Sequence, residues 1–155
     1  MVYSLFSWCE KLPISRVIRG SVTLFPAIEV IHLFGLVMLL GTTVILDLRL
    51  MGYGNKRQSI PTLAAALSLW THLGLVIMAV TGFALFLSEA VKCYENPAFW
   101  LKMSFLASAL LFQFTVYRRV TSSEGVRAWL SRTTAVTSLL LWFGVGLAGR
   151  AIAFV

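Results

Sequence analysis

Residues 22–48 read VTLFPAIEVIHLFGLVMLLGTTVILDL. Apart from Glu29, His32 and Asp47 the run is almost wholly apolar or small. A helix that crosses a bilayer needs about 20 consecutive, mostly apolar residues, and this stretch supplies them. Three further stretches of the same kind follow, at 62–87, 99–117 and 133–154. No segment alternates apolar and polar residues with the period of a strand. The connections between the runs are short, which makes sequential helices antiparallel neighbours. The pattern predicts an all-α fold: a four-helix transmembrane bundle, up-down-up-down, forming one domain over 1–155.

Composition points the same way. Hydrophobic residues make up 59% of the chain and charged residues 12%, against about 25% charged in a soluble domain. Mean hydropathy is +0.86. A soluble core in 155 residues has no room to hide so much apolar surface, whereas lipid does. The net charge of +7 therefore reads as basic loops against anionic headgroups, not as a nucleic-acid surface. Cys9 and Cys93 form no CxxC pair, which excludes a thiolate zinc motif. The chain carries no nucleotide-binding loop and no nucleophile–base triad.

Residues 1–20 mix Phe6 and Trp8 with Glu10, Lys11, Arg16 and Arg19. They lack the unbroken apolar core of a cleaved signal peptide and suit a helix lying in the headgroup plane, broken near Pro13 into two pieces. The first connection, around 52–59, has turn formers and then Pro61; the second contains Asn96-Pro97; the third, 118–132, is basic and contains Trp129, which suits a short interfacial helix. Connections one and three carry Arg49, Lys56, Arg57, Arg118, Arg119, Arg127 and Arg132, while Lys92 in the second sits with Glu89 and Glu95. The positive-inside rule puts the basic connections in the cytoplasm and both termini outside.

Ionisable groups at membrane depth are costly and mark candidate sites. At about 100° per residue, Glu29, His32, Leu36, Thr43 and Asp47 fall on one stripe of the first helix, which should face the bundle interior. His72 lies near the middle of the second helix, and His32 and His72 are the two histidines of the chain. Antiparallel packing would set them at similar depth, where two imidazoles can ligate the iron of a b-type haem. Glu29, one turn before His32, then holds the second nitrogen of that ring or relays a proton. Glu29, His32 and His72 could alternatively hold a single metal ion. Lys102 on the third helix is a candidate to face a haem propionate or Glu29, and Arg150 near the end of the fourth to bind a propionate or a lipid phosphate, each against plain snorkelling to the headgroups. Asp47 and Arg49 read as an interfacial ion pair. Gly144, Gly146 and Gly149 read as helix-packing positions, within the chain or in a homo-oligomer.

The run His32-Leu-Phe-Gly35 through Gly41 to Asp47-Leu-Arg-Leu-Met-Gly52 carries a resemblance, with Thr81-Gly82 and with Tyr94, Asn96-Pro97 and Lys102. Together they resemble an uncharacterised family of small four-helix bacterial inner-membrane proteins. More loosely, they are similar to the HemJ-type haem-binding membrane proteins, through His32 and Lys102, and to the CopD-like copper-resistance membrane domains. The resemblance implies a bacterial inner-membrane protein and leaves open haem or metal binding. Three functions follow as expectations: a redox protein carrying haem b on His32 and His72 and exchanging electrons with quinone or a periplasmic donor; a metal-ion binding or transport module; and a non-catalytic helical subunit.

Overall fold

In the computed structural model, which describes residues 2–54, 57–152 and 154, helices account for nearly the whole chain. Lys56, one of the basic residues counted above, lies outside the described residues. Two short helices, α1 (Val2–Lys11) and α2 (Pro13–Gly20), meet at Pro13, which takes the first turn of α2, where its missing N–H costs nothing. The long helices are α3 (Leu24–Leu50), α4 (Ile60–Ser88) and α8 (Ala128–Ala151); between them stand α5 (Ala90–Glu95), α6 (Pro97–Phe112) and α7 (Arg118–Ser122). A π-helical turn, Gln113–Tyr117, joins α6 to α7 without a break. Four helices are therefore long and apolar enough to cross a membrane: Leu24–Leu50, Ile60–Ser88, Pro97–Ser122 and Ala128–Ala151.

Local chemistry sets these ends. Gly52, at φ 96°, takes the left-handed conformation that stops the chain after α3. Ser59 caps α4 by accepting the Thr62 N–H, and Asn96 caps α6 by accepting the Ala98 N–H at 2.9 Å, each with a proline in the first turn. Where hydropathy ends the third span at Tyr117, the helix continues to Ser122. Trp129 belongs to the first turn of α8 and not to a separate interfacial helix.

The bundle is a square with one open side. α3 packs against α4 and α8, and α8 packs against α6. No Cα of α4 comes within 8 Å of one in α6; on that side only α7 touches α4. The tightest crossing is α3 on α4. A Cβ added at Gly74 would sit 2.9 Å from the Leu39 nitrogen and 3.0 Å from the Gly35 carbonyl, and one at Gly35 would sit 2.7 Å from Ile77. Small residues permit this backbone approach where lipid offers no hydrophobic drive between helices. α6 and α8 close in the same way, with Gly144 beneath the Phe105 ring; Gly146, by contrast, meets nothing within 4 Å.

One end of the bundle is covered by α1, α2 and α5. Phe6, Cys9, Leu87, Ala90 and Phe99 form a buried cluster there, with Ile152 against it, so both chain ends lie at this end. Glu10 pairs with Arg19 and accepts the Val91 N–H. Gly74→Ala should lower the stability of the protein in detergent by about 1–3 kcal/mol, the usual cost of overpacking. Gly41→Ala, which meets nothing within 4 Å, should be neutral or stabilising; thermal melts of the two variants compare them.

Candidate functional site

The helix stripe splits on folding. Glu29 is exposed, whereas Thr43 and Asp47, on the same face by count, are buried. The stripe is therefore inward along its second half, while its Glu29 end faces out. The expectation of one inward stripe is thereby corrected at Glu29.

His32 lies between α3 and the end of α4. Its Nδ1 is 2.8 Å from the Thr81 hydroxyl. Thr81 has one hydroxyl proton and gives it to the Ile77 carbonyl at 2.5 Å, so the His32 Nδ1–H is the donor and its Nε2 keeps the lone pair. The ring rests on Gly82, where a Cβ would come within 3.1 Å of it. His72 is exposed, and its Nδ1–H donates to the Ser68 carbonyl at 2.6 Å. It too keeps Nε2 free. Each imidazole is in the tautomer of a metal ligand, but the two are not brought together. The partner of His32, Thr81, lies nine residues from His72 along α4, or about 13 Å at 1.5 Å per residue. The register is confirmed further along, where Thr71 donates to Thr42 at 3.0 Å, placing His72 level with Thr42 and not with His32. One metal atom needs both nitrogens about 2.0–2.1 Å away. The two histidines of one chain therefore do not fit as paired axial ligands of a haem. Among the described residues no group of three or more His, Cys, Asp or Glu stands together, and Glu29 does not join His32 and His72.

Lys102 is partly buried and lies along α8, with a Cβ at Gly149 falling 3.8 Å from its Nζ. From there its ammonium acts on His32 and on Cys93. It forms no ion pair with Glu29 among the described residues. Arg150 is exposed and stacks its guanidinium over Phe154 at 5.2 Å. Cys9 and Cys93 are free thiols at the edge of one cluster. Burial first, then the Glu89 carboxylate, push the Cys93 thiol up, with Lys102 and Lys92 pulling the other way.

The sequence pattern does not show two further features. The first is a buried polar group. Asp47 is 0% and Tyr117 3% exposed, and Ser138 is fully buried. The Tyr117 and Ser138 hydroxyls stand beside the Asp47 carboxylate, yet neither closes a hydrogen bond of normal geometry with it, and all four oxygens are without partners. The ion pair expected between Asp47 and Arg49 does not form: Arg49 turns to the Gln58 carbonyl at 2.9 Å. An ionised carboxylate buried without a partner is among the costliest groups a protein holds.

The second feature is a lateral cleft of about 430 Å³ on the open side between α4 and the π turn. Ser68, Thr71 and His72 line one wall, Gln113 and Tyr117 the other, and Leu39, Leu46 and Trp142 lie behind. The π turn explains the second wall. Ala109, Gln113, Tyr117 and Thr121 are spaced by four, and in an α-helix each such step drifts by about 40°. A wider turn absorbs that drift and keeps the four on one face; such turns recur at functional sites. Tyr117 joins the two features, because it lines the cleft and stands beside Asp47.

Fold and site define a multi-pass membrane protein with a recess, lined in part by polar side chains, between two of its long helices. The chain belongs to a family of unknown function (DUF6644), which matches residues 5–155. No curated protein and no solved structure matches it, and the wider similarity to HemJ-type or CopD-like proteins is not shown.

Ser138→Ala should leave the melting temperature unchanged or raise it, since no hydrogen bond of the usual ~1 kcal/mol is lost; a clear fall would show that the hydroxyl is engaged. Alkylation of Cys93 by a water-soluble maleimide should lag behind a free thiol until the pH is well above ~8.5, which a Cys9→Ser background isolates.

Proposed function

We propose that this protein binds a small, lipid-soluble molecule whose polar head carries carbonyl or hydroxyl oxygens, of the isoprenoid quinone class, in the cleft between α4 and the π turn. One observation carries this reading: polar side chains line a gap between two spanning helices with no Cα of one within 8 Å of the other. The cleft runs along the first half of α4, from Pro61 to Leu75 near mid-helix, so a molecule dissolved in the bilayer can reach its deeper end sideways. His72 offers an Nε2 lone pair to a ligand hydroxyl. Gln113 has a buried, unpartnered Oε1 and an amide that can donate to a carbonyl. Tyr117 can pass a proton between the ligand and Asp47, whose position gives a buried carboxylate a use that a packing role does not.

The protein is read as residing in the bacterial inner membrane, with the Arg49–Arg57 and Arg118–Arg132 connections in the cytoplasm and both termini on the outer face. The basic content of those connections supports this orientation. A haem on His32 and His72 together is not favoured by the offset between them.

Titration of the purified protein with a short-chain ubiquinone tests the reading. Saturable quenching of tryptophan fluorescence is expected, much of it lost in Trp142→Phe. His72→Leu and Gln113→Leu should each weaken binding about 2–12-fold, the value of one hydrogen bond. Quenching that rises linearly and is indifferent to these variants is mere partition into the micelle and overturns the proposal. A Soret band that vanishes in His72→Ala would assign the cleft to haem instead.

A further inference from the structure

We propose that a second recess, between the π turn, α7 and the start of α8, binds the headgroup phosphate of an anionic phospholipid. The recess measures about 670 Å³. Arg118, Arg119 and Ser122 line it on one side, Phe114, Val116 and Leu130 on the other. Neither arginine is engaged by a carboxylate among the described residues. Two adjacent guanidiniums supply the bidentate donors that suit phosphate oxygens. The neighbouring hydroxyls are already committed, Thr115 to the Leu111 carbonyl and Ser123 to the Arg119 carbonyl; the Ser122 hydroxyl has no partner among the described residues and is left to donate.

Three facts select a lipid over a free phosphate. The arginines sit in the last turns of a membrane-spanning helix, Pro97–Ser122, at the depth of headgroups. Most of the recess wall is apolar, which suits the start of an acyl chain and has no use for an inorganic anion. This end of the bundle also concentrates basic residues, and basic pockets between spanning helices favour anionic headgroups. The recess adjoins the lateral cleft and shares Phe114, Arg118 and Ser122 with it, while Arg119, Ser123 and Leu130 belong to the recess alone.

Native mass spectrometry of the full chain in a neutral detergent, with dioleoyl phosphatidylglycerol or dioleoyl phosphatidylcholine added, tests this. Phosphatidylglycerol should be retained in preference to phosphatidylcholine. Arg118→Gln with Arg119→Gln should weaken that retention about thirtyfold, from about one factor of five per arginine. Arg127→Gln with Arg132→Gln removes the same charge from exposed positions outside the recess and should leave it unchanged. Should the first double variant fail to fold, Arg119→Gln alone must show the fivefold loss. Equal retention of the two lipids, or equal loss in both double variants, overturns the proposal. So does full displacement of phosphatidylglycerol by inorganic phosphate, which would make the recess a soluble-anion site.

Discussion

The close approach of α3 to α4 at Gly35 and Gly74 sets the plan of the molecule. Backbone meets backbone there, at distances that leave no room for a Cβ. In a bilayer, where burying apolar side chains against each other gains little over burying them in lipid, such contact is what holds one helix to the next. The contact commits α4 to α3. α8 serves α3 on its other flank and α6 beyond. No equivalent small-residue seam joins α4 to α6, and that side of the square is left without backbone contact. The cleft is thus the complement of the crossing: where glycine draws helices together the interior is sealed, and where it is missing the interior is reachable.

The polar groups follow the same division. Thr42, Thr43 and Thr81 spend their hydroxyl protons on carbonyls of their own helices, the normal way for a hydroxyl to live in a membrane helix. Asp47, Tyr117 and Ser138 do not. They come from three different elements, α3, the π turn and α8, and all three are buried. A buried cluster that leaves its capacity unspent is where chemistry is found in otherwise self-satisfied folds. Tyr117 connects this cluster to the recess that the bilayer can reach.

How much of this was legible in the residues varies with the physics involved. The four spans follow from hydropathy alone, because lipid demands length and apolarity whatever the packing. The break at Pro13 and the starts of α4 and α6 follow from local rules of capping and proline. Relative depth is another matter. It depends on the register between α3 and α4, which is fixed by where two glycines meet, and His32 consequently faces Thr81 and not His72. The inward face of α3 was likewise read correctly at Thr43 and Asp47 and wrongly at Glu29, because a helix's periodicity says which residues share a side but not over what length a neighbour covers it. Asp47 was read as a boundary charge from its place near the end of an apolar run; its seclusion comes from Tyr117, seventy residues later in the chain, turned inward by a π turn that no hydropathy profile signals.

The way α4 is fastened has one more consequence. It is joined to the α6 side at one end through Phe86 stacked on Phe99 at 5.8 Å, and at the other through α7; between them no Cα of α4 lies within 8 Å of one in α6. The cleft is therefore a window framed at both ends, and the size and shape of that frame limit what can pass through it.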